Sequence, residues 1–371
     1  MEENSPEKNI RNREYSRIKI RLSAVSMVMD IITMSLLAFS GISALIMSLI
    51  APLTENLYIQ FLIFGAAAGL ALSILHFPMD IYGGYIMEHR FGLSNQSLRR
   101  WFLEKTKGTA VGLAIGIPVA LAFFAFLLWA GNLWWLYAGL FMMFISIFLA
   151  RIAPVVIFPL FYKFREIEND ELKGRLIAFM KEQDIPINGI YSFNMSRDTR
   201  KANAGFTGLG KTRRIILSDT LISHFTVNEI LTVFAHEVGH YRRRHIIKNL
   251  LLGAGLIISS FYLCGITYRW TIEAMGFSRL YDIAAIPVLL FYLTLFSLLT
   301  MPVTNFISRK FEVEADAFAL RATGDGESFI SAMEKLAAMN LSDMEPNPAV
   351  EFIFYSHPSI SRRISFARNF K

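Results

Sequence analysis

Phe234–His245 reads FAHEVGHYRRRH, and inside it His236-Glu237-Val238-Gly239-His240 has the pattern H-E-x-x-H. On a helix, residues four apart leave the same face one turn apart. The imidazoles of His236 and His240 can therefore reach one zinc ion at about 2.0–2.1 Å. Glu237 is rotated roughly 100° from His236, beside the metal position rather than on it, where a carboxylate can accept a proton from water. The preceding run Ile230–Ala235 is apolar apart from Thr232 and suits a buried helix. Against this stands the bland alternative of a solvated histidine pair.

A catalytic zinc needs a third protein ligand and an open position. The missing group is sought as His, Glu or Asp on a later helix. The best stretch is Phe311–Ala319, FEVEADAFA, where Glu312 and Asp316 share a face and Glu314 lies on another. Ala315, Ala317 and Ala319 allow close helix packing. Taken alone, such acids equally suit an ordinary helix start, where the dipole favours them.

HEVGH, EVEAD and Ser356-His357-Pro358-Ser359 together resemble the M48 family of zinc metalloproteases, and within it the integral-membrane, Ste24-type CAAX prenyl proteases. The segments Glu88–Ser97 (EHRFGLSNQS), Asn203-Ala204-Gly205-Phe206 and Arg214–Leu221 follow in the family's order. The resemblance implies a polytopic, mostly α protein, with transmembrane helices around a chamber and a small α+β gluzincin-like protease domain. It implies one Zn²⁺ per chain, held by His236, His240 and Glu312, with Glu237 as general base. Asp316 is then a carboxylate orienting a ligand histidine, and His357 the donor to the oxyanion. Asn203 and Ala204 correspond to an edge strand that pairs with extended substrate. Arg363, or neighbouring Arg362, corresponds to an arginine on the substrate's primed side. His245 also matches a family histidine, but among Arg242, Arg243 and Arg244 a solvated or lipid-phosphate-facing role is as good a reading.

Composition bounds the rest. Of 371 residues, 54% are hydrophobic, above the 45–50% of a soluble domain, so several membrane spans are expected. They are read at about 23–51, 57–86, 109–130, 135–160, 248–267 and 283–307. The domain expectation is a membrane half (1–160), a soluble α+β insertion ending in the zinc helix (161–247), a transmembrane hairpin (248–308) and a catalytic tail (309–371). Short strands are expected at Ile185–Phe193 and Arg214–Leu217, with the polar Asn194–Lys211 between them. The net charge of +7 comes without an Arg-aromatic nucleic-acid motif, so it reads as membrane topology. Lys and Arg concentrate in alternate connections, which puts both termini and every catalytic segment on the cytoplasmic side. The membrane would be the inner membrane of a bacterium or the endoplasmic reticulum of a eukaryote.

Cys264 is the sole cysteine, so neither an intrachain disulfide nor a cysteine-based zinc site is available. Asp30 and Asp80, in or near spans, point to a wet interior. Expected partners are peptide or protein substrates, with or without a lipid, and membrane lipids, but not nucleic acid. The competing readings are a quality-control protease of the HtpX-like branch and a scaffold or transporter with a vestigial site.

Overall fold

The structure, a computed structural model, describes residues 6–185, 189–207 and 214–370. Residues 186–188 of the first expected strand and 208–211 of the polar connection lie outside it. Among the described residues, six helices are long and apolar enough to cross a membrane, and a shorter apolar helix spans Ile42–Leu53.

The chain opens with α1 (Pro6–Phe39), α2 (Ile42–Ile50) and α3 (Leu57–Ile81). The π-turn Tyr82–Ile86 joins α3 to α4 (Met87–Arg90), and α5 (Leu98–Trp129) and α6 (Trp134–Ile152) follow. A second π-turn at Ala153–Ile157 leads into α7 (Phe158–Phe161). Then come β1 (Phe164–Glu166), α8 (Asp170–Glu182), β2 (Ile190–Phe193), β3 (Ala204–Thr207), β4 (Arg214–Ser218) and α9 (Asp219–His224). The zinc-motif helix α10 (Val227–Arg242) precedes α11 (His245–Ala274) and α12 (Ile286–Thr323). The chain closes with α13 (Gly326–Asn340), α14 (Pro348–Phe354) and α15 (Ile360–Arg368).

Four sequence expectations need correcting. The first span does not run from 23 to 51: its helix starts earlier and breaks at Ser40-Gly41, where Gly41 takes φ 83°. Such a left-handed backbone suits glycine, which has no Cβ to clash. The third span, expected from 109, belongs to a helix that begins at Leu98, capped by Ser97. No break falls near 308, since the sixth span and the EVEAD segment are one 38-residue helix, α12. Hydropathy marks where a helix leaves apolar surroundings, not where its hydrogen bonds stop. Similarly, the expected boundary at 247/248 falls inside α11.

The sheet has the order β1-β2-β4-β3. β2 and β4 are parallel and both outer pairings antiparallel, so β3 is an edge strand. β1 went unread because three residues carry too little alternation, and β3 was legible only through the resemblance at Asn203-Ala204.

Buried residues sit at two ends. One core unites the sheet with α8–α10, the end of α12, α13 and α15, through Leu172, Leu217, Phe234, Ala319 and Phe329. The other joins the far ends of the spans through Phe124, Trp134, Cys264, Tyr268 and Val288. Between them the spans bury almost nothing. No residue is buried in α1 from 17 to 37, in α3 from 65 to 81, in α5 from 102 to 123 or in α12 from 290 to 311. A helix in a close-packed bundle would bury one face throughout. The accessible surface of 19733 Å² exceeds the ~15,000 Å² of a compact chain of this size. A cavity of about 830 Å³ opens between α1, α3, α5 and α12, with Lys19, Asp30, Asp80, Glu104 and Lys105 on its walls. Glu237 does not line it. Asp80 meets Lys105 at 2.5 Å and Asp30 meets His76 at 3.1 Å, so the in-span carboxylates are paired and face this space.

The zinc-motif helix is anchored at its start by a capping box, Thr226 with Glu229, legible in the sequence as T-x-x-E. Glu229 accepts from Thr226 N–H (2.8 Å), Ser331 (2.5 Å) and Lys335 (2.8 Å). Burial works against its charge, but Lys335, Ser331 and Thr226 outweigh burial and hold its carboxyl below the usual carboxylate range. A depressed folded pKa gives stability that is present above the unfolded value of about 4.3 and lost as pH falls through the folded one. Glu229→Gln should therefore cost about 2–3 kcal/mol at pH 7, the low side of breaking a buried pair because Lys335 is partly exposed. Thermal unfolding in detergent should show that deficit narrowing between pH 5 and pH 3.

Candidate metal centre

Helices α10 and α12 pack so closely that a Cβ built on Gly239 would stand 3.0 Å from both Cα and O of Ala315 and 3.1 Å from Cβ of Phe318. That approach brings Glu312 on α12 up to the histidines of α10. His236 Nε2 and His240 Nε2 are 3.1 Å apart, and each is 3.3 Å from an oxygen of Glu312. Ligands at 2.0–2.1 Å around a tetrahedral ion stand about 3.3–3.4 Å from each other, so the spacing fits a zinc-sized cation. Two imidazoles also argue against calcium or magnesium, which take oxygen ligands. Among the described residues this is the group of histidine and carboxylate donors able to hold a metal. Glu312 is buried, and its Oε2 makes no hydrogen bond, a costly state that a cation removes.

The donors are held from behind. His236 Nδ1 meets Asp316 Oδ1 at 2.7 Å, and Asp316 accepts from Arg363 Nε (2.8 Å) and Nη2 (2.6 Å). Burial disfavours charge on His236, yet Asp316 and Glu312 raise its pKa to about 10. The pocket thus strongly favours positive charge at this imidazole, a proton or a metal ion. Arg363 is raised in turn: burial opposes its charge, and Asp316 more than compensates.

The remaining expected residues fall as follows. Asp316 is wholly buried, not an exposed acid. Arg363 is turned inward at 8% exposure, with its fork on Asp316, and together with Arg362 it lines a cavity beside α12. Arg362 is exposed and 3.5 Å from Glu351. His357 comes from the turn between α14 and α15, which Arg309 holds by donating to the Tyr355 carbonyl at 2.6 Å. Its Nε2 lies 3.3 Å from Glu312 Oε1, and its ring is open to solvent. Glu237 is partly exposed between buried neighbours, within electrostatic reach of Arg363. Asn203 is exposed and Ala204 opens the edge strand β3, tied to β4 by Ser218 N–H donating to Asn203 O at 2.9 Å.

Arg242–Arg244 are exposed, but His245 is buried at 2%. Arg244 takes φ 56° and ψ 35°, a left-handed conformation costing a non-glycine residue roughly 1–2 kcal/mol. That kink ends α10 and starts α11 with His245 aimed back at His240. The sequence carried no signal for it, because the residue adopting it is not glycine.

Residues 2–163 match the family described as CAAX prenyl protease N-terminal, five membrane helices, and residues 166–371 match Peptidase family M48. In this chain the first match covers four long spans and the short Ile42–Leu53 helix. The chain is similar to the uncharacterized metalloprotease YhfN of Bacillus subtilis, at 29% identity over 358 residues, covering 95% of this chain and 84% of that protein. It is 28% identical over 312 residues to CAAX prenyl protease 1 of Saccharomyces cerevisiae, covering 79% of this chain and 68% of the yeast protein. The crystal structure of S. mikatae Ste24p shares the fold at a TM-score of 0.88 and 24% identity, over 99% of this chain and 90% of that one.

Gly239→Ala should force α12 off α10. We expect a loss of about 1–3 kcal/mol and at least a 10-fold weaker hold on zinc, read by thermal unfolding and equilibrium dialysis. A wild-type zinc content in the variant would mean that the ligand geometry does not depend on this contact.

Proposed function

The chain belongs to peptidase family M48 and carries the N-terminal membrane domain of the CAAX prenyl proteases, and from that premise we propose that it is a zinc endopeptidase whose site opens on a chamber between its spans. The observation that carries the reading is the convergence of His236, His240 and Glu312 with Asp316 behind them. A vestigial site would be expected to have lost a donor or its support. One zinc per chain is held by those three residues. When bound, it supplies an activated water and polarises the scissile carbonyl.

The chain's own groups do the rest. Glu237 takes the water's proton and returns it to the leaving amine. His357, 3.3 Å from Glu312, donates to the developing oxyanion. Asp316 fixes the tautomer and direction of His236, and Arg363 keeps Asp316 ionised in its buried position. Substrate lies extended along the free edge of β3, its backbone pairing near Asn203 and Ala204. The unburied middle of the spans supports the chamber, enclosed by six helices and roofed by the 161–247 and 309–371 segments. Extended chains enter it between helices. Positive connections put the roof on the cytoplasmic side. One relative is named a metalloprotease and another CAAX prenyl protease 1, so peptides with and without a prenyl group are the substrates to compare.

Purified protein should cleave such peptides, lose activity to a chelator and regain it with zinc. Glu237→Gln should keep its zinc and unfolding temperature while turnover falls by 10² or more, and near-normal cleavage would remove Glu237 from the mechanism. His357→Ala should lower kcat more than it raises KM. A change in KM alone would make His357 a binding residue only.

A further inference from the structure

Asp316 supports His236, not His240. Behind His240 stands His245, a buried histidine that the proposed reaction does not use. His240 Nδ1 is 2.9 Å from His245 Nδ1, and His245 Nε2 is 3.1 Å from Glu314 Oε2. The His245 ring stacks on Phe311, with centroids 4.3 Å apart and planes at 10°. Had α10 simply continued, five residues at 100° each would have turned His245 about 140° away from His240. The left-handed Arg244 brings it back.

We propose that His245 is the positioning residue for His240 and that Glu314 anchors it, a relay matching Asp316 and Arg363 behind His236. The inference rests on the zinc reading above. Proton placement follows from the contacts. His240 offers Nε2 to the metal, so its Nδ1 carries hydrogen and donates. His245 Nδ1 must then accept, which leaves its single proton on Nε2, aimed at a carboxylate oxygen of Glu314. Every atom has one role, and no donor faces a donor. Lys248 Nζ stands 3.5 Å from the same Glu314 oxygen. EVEAD thus serves both ligand histidines: Asp316 directly, and Glu314 through His245.

The test uses full-length protein in detergent, stripped of metal and titrated with zinc against a competing chelator. Cobalt(II) in the same site reports ligand geometry by its d–d absorption. His245→Phe keeps the stack on Phe311 but cannot accept from His240. It should bind zinc 10- to 100-fold more weakly and shift the cobalt spectrum, with the metal-free protein still folded. Glu314→Leu should weaken zinc about 5-fold or more, while Glu314→Gln, whose amide oxygen still accepts, should stay within about 3-fold of wild type. Wild-type affinity and cobalt spectrum in His245→Phe would overturn the proposal. If that variant fails to fold, equal affinities in Glu314→Leu and wild type overturn it instead. A wild-type protein that binds no zinc would sink the zinc reading itself, a result distinct from either.

Discussion

The contact between Gly239 and Ala315 governs the rest of the site. With a side chain at 239, the two helix backbones could not approach as they do, and Glu312 would stand back from His236 and His240. One variable position of H-E-x-x-H therefore sets a distance, and the small residues of EVEADAFA answer it from α12. Ala315 and Ala319 are fully buried on that seam. Both helices continue into the core under the sheet, so the donors move only if that core moves.

Charge makes the arrangement conditional. Glu312 and Asp316 are both buried, and Arg363 offsets one of them. The balance of negative charge in a low-dielectric pocket is expensive unless a cation enters. Metal binding and local stability are thereby linked, since a divalent ion favours the folded over the unfolded chain. Histidines alone would not create this dependence, as neutral imidazoles can be buried with a single hydrogen bond each.

The parts of the site legible in the sequence were those governed by helical spacing. His236, Glu237 and His240 follow from one turn of helix, and Glu312 with Asp316 from another. Family resemblance then selected ligand from supporting acid. The six spans were legible from hydropathy, yet their ends were not, because α12 runs on past the apolar stretch for another full helical segment. The choice between Arg363 and Arg362 and the role of His245 stayed open because each lies beside other arginines, and only tertiary packing separates buried members from exposed ones. Nothing local distinguishes Arg363 from Arg362, or His245 from the arginines before it.

The length of α12 joins the two halves of the molecule. Its first turn belongs to the core at one end of the spans and its last two turns to the core under the sheet. Over its 38 residues it rises about 57 Å, more than a ~30 Å hydrocarbon layer. One continuous helix, with Pro302 inside it, thus links the core at the far ends of the spans to the segment that carries Glu312, Glu314 and Asp316. On the proposed route between the spans a peptide passes unburied helix surface before it meets Glu237. That route selects first for an extended segment and only then for its side chains.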